Sequence, residues 1–312
     1  MSEQKSNREK IVASRRDAGL ENRSVLDLIE RKGWMEGQTC MVTGSNSGIG
    51  KVIATEAARM GATVVMVCRN RERGEEALKE IRQKTRSDKI QLILADLSSQ
   101  MQIRQLANDF TNHFERLDVL VNNAGTIFRE RSVTEDGYES TFAVNHLGPF
   151  MLTGLLLDTL KASAPARIVN VGSHAHKMTN FSLDEVTSNT KKYKPFRVYA
   201  GSKLANLCFT YDLAEKLEGT GVTVNCVHPG AVATGMLNHG PKWLAFILAL
   251  FFLTPEKGAE TAIELMASPD YADATGHYYY KKKKVKSSPR SHDLAFRKEL
   301  WQKSCEWTGV YY

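Results

Sequence analysis

From residue 38 onward, short apolar runs rich in β-branched residues alternate with stretches about a dozen residues long whose apolar positions recur at helical spacing. The runs are TCMVTG (39–44), ATVVMVCR (62–69), IQLILAD (90–96), DVLVNNAG (118–125), ARIVNVGS (166–173) and VTVNCVHPG (222–230). Each is apolar almost throughout, a pattern that suits a strand covered on both faces. The alternation predicts βαβ units, and so a doubly wound parallel sheet with helices on both faces. GHYYYKKK (276–283) offers a seventh strand, at an edge where its lysines discourage further pairing. No repeat or low-complexity linker interrupts the series. The expectation is one α/β domain of about seven strands over 37–312, preceded by a polar arm over 1–36. Within that arm SVLDLIERKGW predicts a short amphipathic helix, with Ser24 as cap, Asp27 completing a capping box, and Leu28 and Ile29 on the apolar side. SHDLAFRKELWQKSCEW (291–307) predicts a closing helix on which Leu294, Leu300 and Trp301 pack.

Composition narrows the function classes. A chain of 312 residues that is 42% hydrophobic and 25% charged can bury a large core, which excludes disorder throughout. Its net charge of +7 suits anionic partners such as acidic lipid or a phosphorylated cofactor; no nucleic-acid module accompanies that charge. Cys40, Cys68, Cys208, Cys226 and Cys305 are scattered, with no CxxC pair and no ligand spacing to histidine. They read as buried thiols, with no metal site. The first 24 residues hold no apolar stretch of signal or span type, so the cytoplasm is the expected compartment.

TGSNSGIG (Thr43 to Gly50) lies between the first strand and the helical pattern KVIATEAARMG. A helix starting there points free N–H groups and the positive end of its dipole at the turn, where a phosphate fits. Gly44 permits the tight turn, Gly48 lets backbone approach a pyrophosphate, and Gly50 lets helix pack on strand. Roughly 20 residues on, where a carboxylate would meet the ribose 2′-hydroxyl of NAD, the chain offers Arg69, whose guanidinium suits a 2′-phosphate. NADP(H) is therefore expected in preference to NAD(H).

VYAGSKLANL carries Tyr199 and Lys203 four positions apart on one helical face. An ammonium beside a phenol stabilises the phenolate and brings its pKa toward working range. Ser173 ends the preceding strand, NNAG (122–125) ends another, and Asn145 lies in the helical stretch FAVNHLGPF. The four signals converge on one sheet edge, and ligands bind beyond the carboxyl ends of strands in open α/β sheets.

These motifs, in this order, resemble the short-chain dehydrogenase/reductase family, from about residue 37 to the C-terminus. GSNSGIGK, VCRN, ARIVNVGS, RVYAGSKLAN, VHPGAVAT and the tail YYYKKKKVKSSPRSHD look most like its retinol dehydrogenase branch and the plant and bacterial relatives of that branch. The resemblance implies a Rossmann-type fold, a homo-oligomer, and catalysis by Asn145, Ser173, Tyr199 and Lys203. Tyr199 would exchange a proton with the substrate oxygen, Ser173 would hydrogen-bond it, Lys203 would lower the Tyr199 pKa and bind the nicotinamide ribose, and Asn145 would hold a water linking Lys203 to solvent. The turn residues Gly44, Ser45, Asn46, Ser47, Gly48, Ile49 and Gly50 would hold the pyrophosphate side of the cofactor. Asp96 and Leu97 would meet the adenine, and Asn123, Ala124 and Gly125 the adenosine ribose. Pro229, Gly230, Val232 and Thr234 would hold the carboxamide.

The same resemblance places a substrate lid near 235–256, over the greasiest run of the chain, KWLAFILALFFLTP. Trp243 to Leu253 gives eleven apolar residues, about 16 Å of helix against roughly 30 Å of hydrocarbon, too short to cross a bilayer alone. Pro255 then starts a fresh helix. The run fits a lid over an apolar substrate, a packing interface, or peripheral membrane contact through 243–253. His174 and His176 follow Ser173 without a third metal ligand and read as rim residues, and Lys281 to Lys284 as a solvated edge. The expected activity is NADP-dependent hydride exchange with a lipophilic aldehyde, ketone or alcohol. The alternative is a nucleotide-binding, redox-sensing scaffold that keeps the fold without catalysis.

Overall fold

A computed structural model describes residues 31–187, 193–230 and 253–312. All six long apolar runs form parallel strands: β1 (Thr39–Thr43), β2 (Thr63–Cys68), β3 (Ile90–Leu94), β4 (Val119–Asn122), β5 (Ala166–Val171) and β6 (Val222–His228). With β7 (His277–Tyr280) and β8 (Lys283–Lys284) they build one sheet in the order β3-β2-β1-β4-β5-β6-β7-β8. Met41 registers with Val65 on one side and Leu120 on the other, so β1 is central. The strand order reverses between β1 and β4, and a crevice opens beyond the carboxyl ends of strands at such a switch point.

Why each run is apolar throughout is visible in β1. Cys40 and Val42 face a core shared with α1 (Gly48–Arg59) and α9 (Pro255–Ala267), through Ile53, Ala57, Ala262 and Met266. Met41 points the other way, into a core with Phe110 of α3 (Gln100–His113), Phe150 of α5 (Gly148–Leu155) and Phe209 of α8 (Pro195–Lys216). Burying either core is worth on the order of 1.5–3 kcal/mol per large side chain, so neither face accepts a polar residue cheaply.

The remaining elements serve mainly as frame. Between β2 and β3 runs α2 (Arg71–Thr85); α4 (Ser140–Phe142) leads through a π-helical turn (Ala143–Leu147) into α5; α6 (Leu157–Ala162), a 3₁₀ turn (His174–Met178) and α7 (Asp184–Thr187) follow. The last helix, α10 (Leu294–Thr308), is capped by Asp293 and ends at Gly309 with φ 65°.

Two expectations are corrected. The lysines after β7 do not end the sheet: Lys281 and Lys282 turn with φ of 49° and 61°, and Lys283–Lys284 pair back antiparallel on Tyr279–Tyr280 as an eighth strand. Three contacts hold Lys282 in that left-handed conformation: its N–H donates to Thr261 Oγ1, its carbonyl accepts from Tyr271, and its ammonium meets Glu264. Leu294 does not pack; as the first residue of α10 it is 70% exposed, while Phe296 and Leu300 carry the buried face. The N-terminal helix expected over residues 24–34 falls largely outside the described residues. Among the described residues no helix is long and apolar enough to cross a membrane.

Candidate active site

The turn after β1 is built for close approach. Gly44 and Gly48 adopt φ of 65° and 55°. A Cβ on Gly44 would lie 2.9 Å from Ala124 Cα, and one on Gly50 would lie 2.3 Å from Asn123 Nδ2 and 2.5 Å from Gly44 O. The two segments are stitched together as well: Thr43 Oγ1 accepts from the N–H groups of Asn123 and Ala124, each at 3.0 Å, and Asn123 Nδ2 donates to Thr43 O at 2.7 Å. Ser47 precedes α1 and makes no side-chain cap bond to its first turn. Those N–H groups at the positive end of the helix suit a phosphate. Ser45 is buried against Cys68 and Ile49 is buried under the helix, so within the turn Asn46 and Ser47 are the more exposed side chains.

At the end of β2, Arg69 is 67% exposed and reaches Asp96 at 3.4 Å. Asp96 accepts from the Ser98 N–H and hydroxyl, and its own N–H donates to Gln102. Asp96 and Arg69 thus sit together beyond the ends of β2 and β3, with Leu97 next along the chain. The long, exposed ion pair leaves the guanidinium free to turn toward a phosphate.

The proton-handling residues meet across the ends of β4, β5 and α8. A Cβ on Gly125 would lie 3.4 Å from Lys203 Nζ and 3.5 Å from Asn145 Oδ1, which brings NNAG, Asn145 and Lys203 to one point. Lys203 is buried and donates to Val171 O at 2.9 Å. Its Nζ lies 5.8 Å from the centroid of the Tyr199 ring, so the two residues share the expected face of α8. Burial pushes the Lys203 amine down to about 8, opposed by the nearby Cys226 thiol. Ser173 Oγ accepts the Ala175 N–H at 3.2 Å and keeps its proton to donate.

One assigned role needs correction. Burial raises the Tyr199 pKa where a lowering was expected, only partly offset by the Ser173 hydroxyl, and Lys203 Nζ donates to Val171 O. The Asn145 side chain is fully paired. Its Nδ2 donates to Thr126 O at 2.9 Å and to Ser202 Oγ at 3.0 Å, and its Oδ1 accepts from Thr126 N at 2.8 Å. The sequence reading missed Thr126 and Ser202 and gave Thr43 no role of its own within the turn motif; the signal for the first two was only a small hydroxyl residue next to a motif residue.

The far wall is aromatic. His174 stands 4.1 Å from His228 and 5.2 Å from Tyr280, centroid to centroid, at the ends of β5, β6 and β7. His176 is not a rim residue: it is buried, with Nδ1 2.6 Å from Ser173 O and Nε2 accepting the Ser288 N–H at 3.1 Å. That arrangement braces the turn that presents Ser173. Gly172 is needed because a Cβ there would lie 2.5 Å from Cys226 Sγ. Pro229 and Gly230 end β6 as expected, Gly230 with φ 88° and packed under Leu253. Val232, Thr234 and residues 243–252 of the apolar run lie outside the described residues. Pro255 begins α9 behind the Thr254 cap, as predicted. All five cysteines are buried free thiols. Among the described residues no cluster could hold a metal.

Comparison with known proteins agrees with this geometry. Residues 38–245 match the family model described as short chain dehydrogenase. The chain is 39% identical to human retinol dehydrogenase 13, an alignment covering 89% of this chain and 87% of that one. It is 40% identical to mouse retinol dehydrogenase 14, covering 89% and 88%. Among solved structures, a Mycobacterium paratuberculosis protein superposes with a TM-score of 0.73 at 31% identity, covering 89% of this chain and 96% of that one. The Pseudomonas aeruginosa RhlG/NADP complex gives 0.64 at 29% identity, covering 78% and 94%. A glycine turn that fits a dinucleotide, a Ser–Tyr–Lys group at the same sheet edge and these matches lead to one conclusion: the chain belongs to the short-chain dehydrogenase family, NAD(P)-dependent oxidoreductases acting on CH–OH groups.

Proposed function

We propose that this protein reduces lipophilic aldehydes or ketones with NADPH. The observation that carries the proposal is the meeting of Ser173, Tyr199 and Lys203 beside the uncapped first turn of α1. The bound nicotinamide supplies hydride to the carbonyl carbon, or takes it from an alcohol. The chain handles the proton. Tyr199, with its pKa raised, keeps its proton at neutral pH and donates it to the carbonyl oxygen as the alcohol forms. Ser173 Oγ donates a hydrogen bond to the same oxygen and stabilises the charge growing there. Lys203 would bond the nicotinamide ribose and Arg69 the 2′-phosphate.

Three features support the finer assignment. Phe196, 49% exposed, has its ring 6.3 Å from Tyr199 and offers an apolar rim. The apolar run 242–255 occupies the lid position in sequence, and the retinol dehydrogenases similar to this chain are named for a lipophilic alcohol. RhlG, whose structure carries NADP, and the exposed Arg69 favour the phosphorylated cofactor. Buried free thiols suit a reducing compartment, and we place the protein in the cytoplasm.

The test is a panel of hexanal, decanal and all-trans-retinal, each with NADPH and NADH. The expected result is kcat/KM rising with apolar length and NADPH favoured by about tenfold or more. Flat or falling efficiency with length removes the lipophilic assignment, and equal affinity for the two cofactors removes the NADPH preference. Tight NADPH binding with no turnover of any carbonyl favours the scaffold.

A further inference from the structure

We propose that Asn206, His146 and Ser304 form a polarised hydrogen-bond line that positions the π-helical turn carrying Asn145 in the active site, so that Asn206 is a positioning residue. The assignment rests on the oxidoreductase reading above. Asn145 lies in the π-helical turn Ala143–Leu147, and π-turns of this kind occur frequently at functional sites. Four residues on stands Pro149, which has no N–H, so the Asn145 carbonyl has no α-helical donor. Asn206, three residues beyond Lys203 on α8, supplies one: its Nδ2 donates to Asn145 O at 2.9 Å.

That single bond fixes the direction of the others. With Nδ2 spent on a carbonyl, Asn206 Oδ1 must be the acceptor facing His146 Nδ1, 3.2 Å away, so Nδ1 carries the proton. Nε2 of the neutral ring then accepts from Ser304 Oγ at 2.9 Å, across from α10. Reversing any member sets two acceptors or two donors against each other. All four residues are buried, between 0% and 3% exposed. Burial holds His146 down to about 4, which keeps the ring neutral, as the line requires.

Packing alone gives no reason for this line. The His146 ring lies among Phe142, Phe150 and Phe209, at 5.0, 6.0 and 6.2 Å between centroids, where an apolar side chain would fill the space without needing polar partners. The polar choice gives direction instead. Both amide protons of the Asn145 side chain are spent on Thr126 O and Ser202 Oγ, and Ser202 donates its own hydrogen bond to the main-chain carbonyl of Tyr199. The line from Ser304 holds the main chain of the turn that brings Asn145 Oδ1 and Lys203 Nζ together at Gly125.

Asn206→Leu, Ser304→Ala and the double variant test this, with NADPH and whichever of the three panel carbonyls the unmodified protein turns over fastest. The expected result for Asn206→Leu is a kcat loss of roughly 10–100-fold with KM for NADPH within about twofold of the unmodified protein. Ser304→Ala should lose less, Ser304→Thr should retain kcat, and the double variant should match Asn206→Leu alone, since both act on one line. An unchanged kcat in folded Asn206→Leu overturns the proposal, as do losses that multiply in the double variant. Should Asn206→Leu not fold, equal kcat in Ser304→Ala and Ser304→Thr overturns it. Absence of turnover in the unmodified protein removes the oxidoreductase reading, and this assignment with it.

Discussion

Each functional side chain owes its role to one or two neighbours. Lys203 is held by Val171 O, and burial is the largest influence on the Tyr199 phenol. A phenol with a raised pKa stays protonated at neutral pH, so the proton-donor form is present and the phenolate base is scarce. The kcat/KM for alcohol oxidation should therefore climb about tenfold per pH unit between pH 7 and 9, as the phenolate fraction grows, while carbonyl reduction stays level. An oxidation profile that is flat over that range would show that Tyr199 ionises lower than its surroundings imply. Arg69→Asp sets two carboxylates, with Asp96, where a 2′-phosphate should sit, and NADPH affinity should fall by about tenfold or more while NADH affinity holds. Titration calorimetry with both cofactors reads this directly. Gly50→Ala drives a methyl into Asn123 and Gly44 O, and a loss of about 1–3 kcal/mol in urea unfolding is expected, together with weaker cofactor binding.

Elements explain what single residues cannot. The 3₁₀ turn that presents Ser173 is braced by His176, and the π-turn that presents Asn145 is braced by His146; both histidines are buried and pushed down to about 4. The sign follows from linkage. An unfolded histidine takes a proton near 6.5 and these two resist until about 4, so their stability is fully present above 6.5 and is lost as pH falls through that interval. Each should contribute a slope of about 1.4 kcal/mol per pH unit. Urea midpoints measured from pH 7 to 4.5 should fall steadily, and a level midpoint down to pH 5 would mean that the histidines are open to water. Sequence reading gave His146 no role and took His176 for a rim residue: periodicity says that a position is buried, not which carbonyl a buried ring will meet. It likewise took FAVNHLGPF for plain helix, because the π-turn depends on tertiary contacts around Asn145.

For the whole molecule, the strand series and its parallel pairing were legible because a strand covered on both faces has to be apolar throughout. The glycine turn was legible for a similar reason, since only a residue without Cβ fits 2.9 Å from Ala124. What was not legible depended on partners distant in sequence: Leu294 turned outward, β8 folded back onto β7, and Lys203 was bonded to β5 rather than left to the phenol. The account as a whole depends on the fold bringing Tyr199 to a carbonyl as its proton donor. Tyr199→Phe tests that most directly, by single-turnover reduction of the best panel carbonyl alongside NADPH titration. The predicted result is a rate lower by about 10²–10⁴-fold with NADPH affinity within about twofold of the unmodified protein. A variant that keeps its rate would contradict the account.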